Sequence, residues 1–164
     1  MTTENFNPEA NKLPSSLNTL TILTFIGSGL QLISGGWQYI NADKGYAKMQ
    51  ETISSPDFDK MPEFAKKMMS PQALENARLA AENKIPLLVL ALLGGILGIV
   101  GALQMRKLKM QGYYVWLISE IVPLIGTAIF MGLSAFSGFA MIGLIFPLLF
   151  IVLYTLQRKH LTNK

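Results

Sequence analysis

Glu120 is the only formally charged residue within four long apolar stretches, Leu17–Ile40, Ile85–Met105, Tyr113–Leu133 and Phe139–Leu156. An acidic residue at the centre of a membrane helix costs about 3 kcal/mol, so such residues face a bundle interior and commonly mark a functional path. Pro123, three residues further on, lacks a backbone donor and leaves the Ser119 carbonyl without its partner in the helix ladder. Tyr113, Glu120, Thr127 and Ser134 recur every seven residues, which puts them on one helix face. Counting from the span ends places Thr24 level with Gly98, and makes Thr24 and Ser28 the expected hydrogen-bond partners of Glu120. Glu120, Ser119, Thr24 and Ser28 thus form a candidate protonatable or polar intramembrane site. The same residues also fit a structural hydrogen bond that locks helices together, or a carboxylate that snorkels toward Arg106 and Lys107.

Other chemistry lacks its residues. The chain has no cysteine and one histidine, His160, in a basic tail. No HExxH, GxSxG, Walker A or dinucleotide-binding pattern occurs. Neither catalysis by the chain alone nor a metal or other cofactor is expected. Met61, Met68 and Met69 lack the tight repeated spacing of a soft-metal site. The basic excess (pI about 9.4) sits at the ends of apolar stretches, where it meets lipid headgroups, so no nucleic-acid partner is expected.

The elements that must position Glu120 follow from composition. Hydrophobic types make up 51% of the 164 residues and charged types 15%, well below the roughly 25% usual for soluble domains. Spans at about 17–40, 85–105, 113–133 and 139–156 approach or exceed the roughly 20 residues a helix needs to cross a bilayer. The expected fold is all-α: a four-helix transmembrane bundle, residues 1–164 as one membrane domain, with an outer helical loop at 41–84. Residues 1–16 are polar and lack the features of a cleaved leader, so the first span is expected to remain. Residues 1–16 carry −1, the loop 41–84 is neutral, and two short clusters carry +3 each: Arg106, Lys107 and Lys109, then Arg158, Lys159 and Lys164. The positive-inside rule puts both clusters and both termini in the cytoplasm and the loop outside. Trp37 and Tyr39 at one end, and Tyr113, Tyr114, Trp116 and Tyr154 toward the other, are expected as interfacial aromatic belts.

Small and polar residues set the expected packing. Thr21, Thr24, Ser28, Gln31, Gly35 and Gln38 form a heptad seam on the first span, and Ala91, Gly94, Gly98, Gly101 and Met105 form one on the second. Membrane helices associate through close backbone approach along such seams, which predicts antiparallel packing of spans one and two. Homodimerisation through the Gly94/Gly98 pair is the alternative use. In the loop, Ser55-Pro56 and Ser70-Pro71 each read as an N-cap followed by proline at the first helical position. The first is expected to open a helix with Phe58, Met61, Phe64 and Met68 on one apolar face, lying on the outer interface, capping the bundle mouth or docking a partner. The second is expected to run from Gln72 to Asn83 and into span two, with a bend near Pro86.

The turn Gln104-Met105-Arg106-Lys107-Leu108-Lys109-Met110-Gln111-Gly112 resembles those of small bacterial four-span integral membrane proteins of unassigned function. That resemblance implies a bacterial cytoplasmic (inner) membrane and no particular activity. The expected function is a non-catalytic scaffold or accessory subunit that binds a membrane partner or lipid within a larger complex or homo-oligomer. The alternative is a small proton-coupled transporter or channel using Glu120.

Overall fold

The computed structural model describes residues 13–137 and 140–162. Most of the polar N-terminal segment, the start of the fourth apolar stretch at Phe139, and Lys164 of the second basic cluster lie outside the described residues. Six α-helices follow one another: α1 (Ser15–Ser54), α2 (Glu63–Met68), α3 (Pro71–Glu82), α4 (Lys84–Arg106), α5 (Met110–Met131) and α6 (Ala140–Gln157). Among the described residues there is no strand, only an isolated bridge between Lys109 and Thr162. Four of the helices, α1, α4, α5 and α6, are long and apolar enough to cross a membrane. The end bearing the α4–α5 turn and the C-terminal residues is here called the basic end, and the opposite one the loop end.

The α1–α4 interface follows the small-residue seams. A Cβ at Gly35 would lie 2.5 Å from that of Ala91; one at Gly94 would strike the Gln31 amide and the Pro123 ring; one at Gly98 would strike the Ser28 hydroxyl. At the basic end Arg106 Nη1 donates to Asn18 Oδ1 at 2.7 Å and to Thr21 Oγ1 at 3.2 Å. The pairing descends one helix as it climbs the other, so the two run antiparallel, with Gln31, Pro123 and Ser28 occupying the Gly94/Gly98 face. Two details depart from the seam as read from spacing. Ser28, not Thr24, stands opposite Gly98, a shift of one helical turn. Gly101 belongs to a different contact: its Cβ would meet Trp116 Cβ and N at 2.7 Å and the Gly112 carbonyl at 2.8 Å, so it lets α5 approach α4. A 3.5-residue repeat laid on a 3.6-residue helix drifts around the axis, and α4 has a neighbour on either side to receive it.

The stretch 41–84 differs from a separate loop. α1 continues fourteen residues past Ile40, giving a helix about 60 Å long. Residues 41–54 contain no proline, and α3 packs back along α1, while Lys84 pairs with Asp43 and sits 6.0 Å from the Tyr39 ring centroid. α1 stops at Ser55, held extended at φ −75°, ψ 140° by the proline that follows. Ser55 therefore closes α1 rather than opening a new helix. The expected single face of Phe58, Met61, Phe64 and Met68 does not form. Phe58 lies in a 3-10 turn, Met61 is extended before Pro62, and only Phe64 and Met68 share α2, exposed at 64% and 53%. Pro62 disfavours helical geometry at Met61 and splits the face in two. Ser70 does cap α3, its Oγ accepting from Ala73 N at 3.2 Å with Pro71 next in the chain. The break before α4 falls at Asn83 rather than Pro86; Asn83 Nδ2 donates to the Leu79 and Phe130 carbonyls at 3.0 and 3.2 Å.

The main buried cluster lies at the basic end. Trp116 and Tyr154 are fully buried, Tyr113 is 5% exposed, and Leu17, Leu20, Met105 and Leu161 pack with them. These three aromatics are core residues rather than a belt: they turn inward, and the Tyr154 and Tyr113 hydroxyls find Thr24 and Thr155 within the bundle, while Trp116 Nε1 is buried without a partner among the described residues. Tyr114, Trp37 and Tyr39 are the exposed ones. The α4–α5 turn closes with Leu108 N–H donating to the Met105 carbonyl and Lys109 N–H to that of Gln104, a Schellman arrangement with Leu108 at φ 56°. A left-handed leucine costs about 1 kcal/mol or more. Thr162 offsets that by donating to the Leu108 carbonyl from both its N–H (2.7 Å) and its Oγ1 (3.1 Å), while Met110 N–H donates to the Thr162 carbonyl.

Candidate functional site

Glu120 sits on α5 between the aromatic cluster and Pro123. Its side chain lines a cavity of about 450 Å³ bounded by α1, α5 and α6, with Thr24, Ser28, Gln31, Phe146 and Phe150 among the other walls. The cavity exists because α6 is anchored at one end only. There Tyr154 and Thr24 share a hydrogen bond at 2.7 Å, Tyr154 lies 4.4 Å from the Trp116 ring centroid, and Tyr113 meets Thr155 at 2.9 Å. Toward the loop end α6 separates from the bundle, and only 6% of its apolar stretch is buried against 28% for α1 and for α4.

The structure brings Glu120, Thr24 and Ser28 to one cavity but does not bond them to each other. Thr24 is engaged by Tyr154, and the Ser28 hydroxyl lies against Gly98. Ser119 faces away from the cavity, its hydroxyl donating to the Trp116 carbonyl at 2.5 Å and lying across from Gly98. Glu120 therefore makes no hydrogen bond or ion pair with any described residue. Nor does it reach Arg106, which Asn18 and Thr21 hold at the basic end. Of the packing residues, Thr21, Gly35, Gly94, Gly98 and Gly101 are buried, and Gln31 is half-buried between clefts.

Three groups belong to the site without having been visible in the sequence pattern. Tyr154 takes the hydrogen bond expected of Glu120, while Phe146 and Phe150 supply the apolar walls. Their signal was present but weak: Tyr154 is the only hydroxyl-bearing aromatic in its span, and the two phenylalanines flank Pro147 at near-helical spacing. Among the described residues no group of three or more histidine, cysteine or acidic side chains could hold a metal. The arrangement offers one carboxyl, two hydroxyls and an amide against apolar walls, a setting for holding a proton or a positively charged or hydrogen-bonding group. No protein-family model matches the chain, and neither the curated proteins nor the solved structures searched contain a match.

Proposed function

We propose that the chain is an integral protein of a bacterial cytoplasmic membrane, with both termini inside and the segment after the first span outside. In this reading it is a non-catalytic scaffold or accessory subunit that binds a membrane partner or lipid. The observation that carries it is the fourth helix, anchored at the basic end and separated from the bundle beyond Phe150. A helix held at one end leaves both its flank and the adjoining face of α1 able to receive a second hydrophobic body. In lipid such contacts form through packing and small residues, and Gly27 and Gly143 have open space beside them at this gap. Native co-purification in mild detergent, with mass spectrometry of the associated proteins, tests the proposal. A stoichiometric larger membrane protein is the expected result, and a chain recovered alone would contradict the subunit reading.

A second reading, a small proton-coupled transporter or channel, is favoured by one observation: the Glu120 side chain faces a cavity and has no partner among the described residues. Reconstituted flux, with wild type compared to Glu120→Gln, separates the two. Flux that depends on Glu120 supports transport. Equal or absent flux returns Glu120 to a packing role.

A further inference from the structure

Glu120 makes no hydrogen bond with any described residue, and further polar side chains without one lie from it toward the loop end. Gln38, Gln31 and Thr127 line a second cleft of about 260 Å³ between α1, α4 and α5, whose lining extends toward the loop end to Gln38, Leu87 and Met131. None of the three side chains makes a hydrogen bond to a described residue. Gln31 lines both this cleft and the Glu120 cavity and is the wall they share. Ser34 also lines the cleft, with its hydroxyl bonded to the Gln31 carbonyl at 3.1 Å.

An unpaired polar group in an apolar setting costs several kcal/mol, whereas a cleft that offers a water molecule two to four polar partners fills with water instead. Four polar side chains bordering two clefts that share Gln31 as a wall meet that condition. At the basic end the space stops. Thr24 and Tyr154 are bonded across it, and the Trp116 ring lies behind them with no exposed surface. Among the described residues Glu120 is the only formally charged one lining either cleft, so the clefts select for positive charge.

We propose that Gln38, Ser34, Gln31 and Thr127 line a water-filled vestibule that admits water and small cations to Glu120 from the loop end, and that Thr24, Tyr154 and Trp116 close it toward the basic end. The vestibule suits a binding subunit as well as a transporter, since it concerns only which end of the molecule reaches Glu120.

The natural chain has no cysteine, so single cysteines report access without a background to remove. Ser34→Cys, Thr127→Cys and Ser28→Cys probe the vestibule. Ile33→Cys, on an exposed apolar face at the same level as Ser34, and Ala102→Cys, fully buried at the closed end, are the controls. Each full-length variant in detergent micelles is treated with a cationic or an anionic methanethiosulfonate, with rates normalised to each reagent's reaction with a free thiol. The expected result is modification at 34, 127 and 28 but not at 33 or 102. At position 28 the cationic reagent is expected to be favoured by about tenfold, because of the nearby carboxylate, and Glu120→Gln to abolish the preference. Reaction at 33 as fast as at 34, at 102 as fast as at 28, or no modification at 127 would overturn the vestibule. Equal normalised rates at 28 would remove Glu120 from it. Should Glu120→Gln fail to fold, the cation preference at 28 compared with 34 in the otherwise natural chain decides the same point.

Discussion

Tyr154 shows what a residue type reveals and what it hides. A tyrosine near the end of an apolar stretch ordinarily marks an interface, where its ring is apolar and its hydroxyl wet. Here the hydroxyl finds Thr24, 130 positions away in sequence, and the side chain is fully buried. No local pattern contains that pairing. Tyr154→Phe is expected to lower stability by about 1 kcal/mol, since hydrogen bonds between helices in lipid are worth no more than those in water. Thr24→Val should cost a similar amount, and the double variant about as much as either single, because both remove the same bond. Unfolding in detergent measures all three; strict additivity would show that the bond does not carry the effect. Glu120 itself was legible from sequence as a lone charge at a definite position, but its partners were not. Thr24 and Ser28 reach the right cavity, yet the levels of neighbouring helices shift by one turn, and a turn decides which hydroxyl meets which carboxyl.

The elements were legible where the cause is local. The glycine and hydroxyl seams of α1 and α4 follow from residue size, and Ser70-Pro71 caps α3 through adjacent atoms. The continuation of α1 to Ser54 was not, because an apolar boundary marks where a span leaves lipid, not where a helix ends. The divided face of Phe58, Met61, Phe64 and Met68 shows Pro62 outweighing hydrophobic spacing. Two glycine substitutions test close packing at this scale. Gly101→Ala puts a methyl against Trp116 and the Gly112 backbone and should destabilise by about 1–3 kcal/mol. Gly29→Ala meets nothing within 4 Å and should leave stability unchanged or raised. Thermal unfolding of the pair in one detergent compares them directly. On α3 the Arg78 guanidinium bonds both Glu75 and Glu82 and holds the Glu75 carboxyl below the usual carboxylate range. A depressed pKa contributes stability that is present above the unfolded value and lost as acid titrates the folded group. Arg78→Gln should therefore fray α3 more at neutral pH and lose the part of the acid-dependent fraying that comes from Glu75, read by hydrogen exchange of its amides across pH. At the basic end, Leu161→Ala removes a 7% exposed side chain from the aromatic cluster and should cost about 2 kcal/mol or more.

At the scale of the whole molecule, three apolar helices are joined along most of their length and a fourth is attached at one end. Apolar length made four long apolar helices legible, but does not say how tightly each packs. The looseness of α6 depends on side chains meeting across the bundle: Tyr154 and Thr155 at one end find Thr24 and Tyr113, while the other end carries mainly apolar groups with no comparable bond. If that free flank is a docking face, a photo-crosslinker on it will capture something that one on a well-packed helix does not. The direct measurement places the crosslinker at Ile145 on α6 and, in a separate variant, at Leu103 on α4, both exposed apolar positions. Irradiation in native membranes is followed by mass spectrometry of the adducts. A single abundant membrane partner captured from 145 and not from 103 is the predicted result. The same adducts from both positions, or none from either beyond lipid, would contradict the assignment of α6 as the surface through which this protein binds a partner subunit.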